Sequence, residues 1–459
     1  MTKLATRVFA AALVGLTALS ATQVTAQTFD LLTLYQSSLD FDADIAAAEA
    51  AYRAEQEAEG IALAPLLPNL SASAAQGQTN SNIHKGLQNS DFFKDGGLSV
   101  NLSQSLFDLP NWYELDTSEA NSAQAEAIYL EAQQDLILNV STAYFNVLSA
   151  ESDLTAAKAL ETAVKRQYQQ AKEQFDVGLI AITDVHEAKA SFDSSKTTRI
   201  RAEGALTLSH ETLARITGIY TENLFELDED FPIIADPSNT ADSWVEIAEE
   251  NSLAIKAAQY AYQSVESTHS ASKAEHWPTL TLNAAYENRD FDNYKSGVNG
   301  QTETETSNVF LNFNLPIYSG GGTQANVRRT RFQLEQARQQ LESTKRLARL
   351  ETRTEFINIT TNIQTVESLQ QNIISRESAL EATREGYNVG TRNIVEVLDA
   401  ERNYFTALRD YAAARFDFVE STLRIRKAAG LLSLPDIEAL NAYLVLPQPE
   451  TEQTTTEQY

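Results

Sequence analysis

The chain contains 459 residues, of which 63 are acidic and 35 basic, for a formal net charge of −28, and it has no cysteine. A chain this acidic is a poor match for phosphate, which argues against a nucleic-acid partner, and the lack of cysteine excludes a disulfide framework or a thiolate metal site. The acidity serves colloidal repulsion, or lines a cation-attracting surface or lumen.

The first residues, 1–26, have the pattern of an export signal. Lys3 and Arg7 precede an apolar run from Phe9 to Leu19, and Val24-Thr25-Ala26 forms a small-residue cleavage site. Such a run is too short to span a bilayer. No cysteine follows the site, so a lipid anchor is not expected there. No later segment approaches the roughly 18 consecutive apolar residues of a membrane helix.

Phe29 to Ala64 is predicted as one helix with Asp30 as N-cap, stopping before Pro65 and Pro68. From Asn69 the period changes to two. Leu70, Ala72 and Ala74 alternate with serines; a polar loop follows; then Leu98, Val100, Leu102 and Leu106 alternate with Ser99, Asn101, Ser103 and Ser105. This pattern predicts two strands of about ten residues joined by a loop.

Residues 111–176 contain neither proline nor glycine and predict a single helix roughly 100 Å long. Its apolar positions step by fours and threes: Leu136, Val140, Ala143, Val147, Ala150, Leu154, Ala157, Val164, Tyr168, Ala171 and Phe175. Only Glu161 breaks the series. A period of 3.5 residues denotes a left-handed coiled coil. A Val177-Gly178 turn then sends the chain back as a helix to Thr217, where Gly218 stops it.

After an irregular connector, Glu222 to Thr240 with residues 231–240 at its core, the plan repeats. A helix is expected from Asp242 to His276, and a strand carries Leu280, Leu282, Ala284 and Tyr286 on one face. A polar loop spans residues 288–307, and a second strand carries Val309, Leu311, Phe313, Leu315 and Ile317. Gly320-Gly321-Gly322 breaks the chain. A second long helix, with Ile359, Val366, Ile373, Leu380 and Tyr387 every seven residues, ends at a Val389-Gly390 turn, and a return helix runs to Ala429. The chain is therefore a tandem duplication, residues 27–230 and 241–435, followed by a segment, 436–459, whose acidic Thr-, Glu- and Gln-rich end is expected to be disordered.

Four strands of this length and alternation suit a membrane strand with one face to lipid. Four cannot close a barrel in lipid, where an open edge is prohibitive. Two copies would give eight strands and a filled interior, whereas three give twelve and a lumen. The expected fold is thus α plus transmembrane β: a trimeric twelve-stranded β-barrel, four strands per chain, continued by a long α-helical coiled-coil barrel. The rival reading is a periplasmic coiled-coil adaptor or scaffold, which shares the export signal and heptads but has no need of alternating strands or a twofold repeat.

The two turns align without a gap. Phe175-Asp176-Val177-Gly178-Leu179-Ile180-Ala181-Ile182-Thr183-Asp184-Val185 lies over Tyr387-Asn388-Val389-Gly390-Thr391-Arg392-Asn393-Ile394-Val395-Glu396-Val397, and Glu187 over Asp399. With the strand end Gln104-Ser105-Leu106-Phe107-Asp108, these segments resemble the TolC family of outer membrane efflux and export channels, over essentially the whole mature chain. The resemblance implies a homotrimer in outer membrane lipid whose partners are a periplasmic adaptor (membrane fusion) protein and an inner-membrane pump or ABC transporter. It also implies a gate. Tyr387 and Arg392 match the residues that latch an inner hairpin, and Thr183 and Asp184 match the other side of the latch. Glu396 and Asp399 match an acidic ring at the constriction, with Glu396 one methylene longer than the family's aspartate and Asp399 a point of cation block. Gly178, Leu179, Gly390 and Thr391 match the adaptor-docking tips.

No enzyme is expected. None of the five histidines has a zinc-binding spacing, Gly320-Gly321-Gly322 lacks the Lys-Ser/Thr of a phosphate loop, and no nucleophile motif occurs. No cofactor is expected either.

Overall fold

The computed structural model describes residues 28–81, 91–234, 240–292 and 301–446. The predicted export signal, the acidic tail, the centre of the connector and the tips of both polar loops lie outside the described residues.

Each half begins with a broken helix. Where one helix was expected over 29–64 there are two, α1 (Leu31–Phe41) and α2 (Ala43–Leu63). The expected helix over 242–276 is likewise α5 (Ala241–Asn251) and α6 (Leu253–Ala274). The breaks fall at Asp42 and Ser252, corresponding positions of the two halves, both with extended ψ near 123°. Asp42 is itself a cap: its carboxylate accepts from the backbone N–H of Asp44 (2.9 Å) and Ile45 (3.1 Å). What the breaks pack against is the end of the return helix of the same half. Gly218, at φ 72°, lies beneath the ring of Phe41, and Gly430, at φ 71°, lies against the backbone of Asn251 and Ser252. At Gly430 even a methyl group would force the backbone to shift, because a Cβ would strike the Asn251 carbonyl.

The long helices are continuous: α3 is Leu109–Asp176 and α7 is Gly322–Asn388. Asp108 caps α3 and Pro110 occupies its first turn. The return helices are α4 (Ile182–Thr217) and α8 (Ile394–Ala428). Together α1, α2 and α4 hold as many residues as α3, so the short helices and the return helix can line the long one end to end. The predicted seam of α3 is buried at Leu136, Val140, Ala143, Val147, Leu154, Ala157, Val164 and Ala171. Glu161, the break in that seam, is met by Arg199 of α4 at 2.5 Å, and Arg199 also holds Glu203 at 2.5 Å. A polar seam position is tolerated here because a neighbouring helix supplies its counter-charge.

The strands are longer than expected. β1 (Asn69–Ser81) and β2 (Asp91–Phe107) pair antiparallel. A two-residue strand, β3 (Glu226–Leu227), lies in the connector expected to be irregular. It precedes β4 (Thr279–Asp292) and β5 (Gln301–Asn314), and the main sheet has the order β1-β2-β4-β5, all antiparallel. Most of the stretches predicted as polar loops are strand, because backbone pairing continues after the apolar alternation has ended. The register aligns one apolar face across all four strands. Leu70, Ala72 and Ala74 lie opposite Leu102, Val100 and Leu98; Val100 and Leu102 lie opposite Tyr286 and Ala284; Leu280, Leu282 and Ala284 lie opposite Phe313, Leu311 and Val309. Gln104 interrupts that face at the helix-proximal end, where its amide donates to the Leu66 carbonyl at 2.7 Å. After α8, helix α9 (Leu434–Asn441) leads to β6 (Leu444–Val445), which pairs with β3. Asn441 closes the chain back on its start by donating to Asp30 at 2.8 Å.

Candidate functional site: the paired hairpin tips

Both long helices end in the same turn. At the first tip Val177 N–H donates to Glu173 and Gly178 N–H to Phe175, and Gly178 takes φ 79°. At the second, Val389 N–H donates to Glu385 and Gly390 N–H to Tyr387, and Gly390 takes φ 77°. The left-handed conformation favours glycine, since any Cβ there is strained. Around both glycines the space is open, with no atom within 4 Å of where a Cβ would stand. The predicted docking residues Gly178, Leu179, Gly390 and Thr391 are all exposed, and Val177, Leu179 and Val389 present apolar side chains to solvent.

The second tip is the more tightly tied. Thr391 and Arg392 both donate their backbone N–H to the Gly386 carbonyl, at 2.8 and 3.1 Å, and the Thr391 hydroxyl adds a third bond at 2.9 Å. Arg392 can fold over this turn because residue 386 has no side chain; a Cβ there would lie 2.7 Å from Arg392 Cγ. Asn393 then caps α8. Its carbonyl oxygen accepts from Glu396 N–H at 3.0 Å while its amide donates to Glu396 Oε1 at 2.8 Å.

The two hairpins meet in a small core. Val164, Ala171, Ala188, Ile394 and Leu398 are buried together, with Tyr168, Phe192 and Tyr387 packed against them. Tyr168 and Phe192 stack with ring centroids 6.1 Å apart. On the edge of this core Tyr387 reaches from the second hairpin to the first. Its hydroxyl donates to Gln174 Oε1 at 2.9 Å, and burial, with the neighbouring charge of Asp184 added, pushes the phenol above its ordinary value. Gln174 is the repeat counterpart of Gly386. One repeat thus has a glycine where the turn must pass, and the other a side chain that accepts the link.

The structure brings some of the predicted site residues together and keeps others apart. Tyr387 and Asp184 come near each other, with the hydrogen bond going to Gln174. Thr183 is exposed on the first turn of α4. Arg392, expected in the latch, pairs within its own hairpin with Glu396, expected in the ring, at 2.6 Å. Asp399 pairs with Arg402 at 2.6 Å. Both pairs are largely solvent-exposed, the class of ion pair worth about 0–1 kcal/mol. Sequence reasoning missed Gln174; the mismatch of Gln174 with Gly386 in the repeat alignment was the available signal. It also missed Glu401, a charge placed among the apolar positions of α8.

The model of the outer membrane efflux protein family matches residues 34–219 and 244–431. The chain belongs to the outer membrane efflux protein family. Within it, the chain is similar to outer membrane protein TolC of Vibrio cholerae, with 35% identity over 420 residues, covering 90% of this chain and 94% of that protein. It is similar also to AprF, an alkaline protease secretion protein of Pseudomonas aeruginosa, with 24% identity, covering 90% of this chain and 87% of that protein. Among solved structures, the Campylobacter jejuni CmeC outer membrane channel shares its fold, with a TM-score of 0.75 at 20% identity, covering 90% of this chain and 89% of that one. Efflux-family membership places the protein in the outer membrane.

Proposed function

We propose that three copies of this chain form a gated exit duct across the outer membrane, with the hairpin tips as its periplasmic door. The protein is an outer membrane channel of efflux and type I secretion systems, and the TolC and AprF relatives support both uses. The trimer and the closed barrel rest on physical argument, and the partners on what the family resemblance implies. Within one chain the sheet stops at β1 on one side and β5 on the other. Such edges are not tolerated in lipid, and copies joined edge to edge remove them. Val309, Leu311 and Phe313 on β5 are more than half exposed in the single chain, as a lipid-facing row requires.

The single observation that carries the gate is the bond from Tyr387 to Gln174, because it ties the second hairpin to the first at the end remote from the sheet. Thr183, Asp184, Tyr387 and Arg392 form the latch region, and Glu396 and Asp399 line the entrance, where Asp399 is the point of cation block. The exposed tips receive a periplasmic adaptor that brings an inner-membrane pump or ABC transporter. Envelope fractionation followed by light scattering in detergent tests the assembly. Recovery with the outer membrane as a particle of three chains is the expected result; a soluble periplasmic monomer would refute it.

A further inference from the structure

The α8 seam that packs the second hairpin contains Ile394, Val397 and Leu398, and then Glu401, all buried, with Glu401 at 0% exposure. A carboxylate at such a position is desolvated and needs a counter-charge. It has one. Arg384 of α7 donates from Nη2 to Glu401 Oε1 at 2.8 Å, and Gln167 of α3 donates from Nε2 to the same oxygen at 3.4 Å. Among the described residues Glu401 Oε2 and Gln167 Oε1 have no hydrogen-bond partner. The Arg384 side chain is 45% exposed. The buried charge therefore depends on one cation that solvent can reach.

Gln167 and Gln174 lie seven residues apart and so share one face of α3. Each is bonded to the second hairpin: Gln174 to Tyr387 near the tip, Gln167 to Glu401 one heptad farther from it. We propose that Glu401 is a positioning residue of the gate, a buried charge that holds α8 against α3 and α7 only while Arg384 is in place. Removing the guanidinium strands a charge in an apolar seam. The hairpin relieves this by moving Glu401 toward water, which pulls α8 away from α3. The accessible side of Arg384 makes it the point of release, since an acidic side chain of a docked partner competes with Glu401 for the same guanidinium.

The gate role rests on the channel function proposed above; the Glu401–Arg384 pin that holds α8 in place does not, and the primary measurement is independent of conduction. Hydrogen–deuterium exchange is followed for the peptide spanning residues 388–402 in the detergent-solubilised full chain. Arg384→Ala, or Arg384→Gln if the alanine variant does not assemble, is expected to speed exchange there about a hundredfold, the scale of a stranded buried charge. Adding Glu401→Leu to that variant removes the stranded charge and is expected to restore slow exchange. Unchanged exchange in the single variant overturns the pin. So does exchange that stays fast in the double variant, which would make Arg384 important for some other reason. Single-channel conductance of the same variants tests the gate: it should rise in the single and return in the double, and a loosened hairpin with unaltered conductance overturns the gating role.

Discussion

Replacing Tyr387 by phenylalanine removes one oxygen atom and leaves the ring in its place against the Val164–Ile394 core. What is lost is the donor to Gln174 Oε1 at 2.9 Å. A neutral hydrogen bond of this kind contributes about 1 kcal/mol net, so each hairpin's closed-to-free equilibrium should shift about fivefold toward the free form. The side chain is half-buried and the vacated Gln174 can turn to water, so the larger cost of a buried orphan does not apply. Because the chain has no native cysteine, spin labels can be placed singly on the exposed tip residues, through Asp176→Cys and Asn388→Cys. Pulsed electron spin resonance then reads the separation of the two tips directly. The Tyr387→Phe background should enrich the long-distance population, and Gln174→Ala should do the same. Identical distance distributions with and without the hydroxyl would refute the link as a determinant of the closed state.

Two further outcomes follow from the geometry and one from the proposed entrance ring. Gly178→Ala meets open space and should cost about 1–2 kcal/mol, from left-handed strain alone, whereas Gly430→Ala adds a collision with the Asn251 backbone and should cost about 1–3 kcal/mol more; thermal unfolding of the two variants checks the order. Glu151 is pushed up to about 7 by burial and then by Glu226. A raised carboxyl favours the folded state fully below its unfolded value near 4.5 and loses that contribution as pH rises through about 7, so Glu151→Gln should gain stability relative to the parent between pH 5 and pH 8, and a pH-independent difference in melting temperature would contradict this. Asp399→Ala should weaken block by multivalent cations added from the periplasmic side in planar bilayers, and equal block would remove Asp399 from the lumen.

The long helices were legible because hydrophobic periodicity accumulates over many turns: the α3 seam from Leu136 to Ala171 is long enough to survive the single break at Glu161. The breaks at Asp42 and Ser252 were not legible. Neither has a proline or glycine beside it, and the Ala-rich flank of Asp42 favours helix. What meets the chain there is Gly218 or Gly430, well over a hundred residues away, and such a contact leaves no local pattern. Strand ends were misjudged for a related reason. Alternation marks a strand only where one face is apolar, and pairing persists into segments polar on both faces, such as residues 303–308. At the tips, Gly178 and Gly390 announced the turns, and the resemblance to the TolC family singled out Tyr387 and Arg392. Which partners they chose was not legible. Arg392 turned to Glu396, four residues on in its own hairpin, and Tyr387 crossed to Gln174, whose significance lies only in its position opposite Gly386.

On the proposed function, this chain builds a duct that is closed at its helical end when no partner is attached. Single-channel recording of the purified, unmodified protein in planar bilayers tests it most directly. A closed duct gives discrete, small, cation-preferring conductance steps that grow when Tyr387→Phe and Arg392→Ser are combined. A protein that inserts but never conducts, or one that conducts fully open from the start and is indifferent to those substitutions, would contradict it.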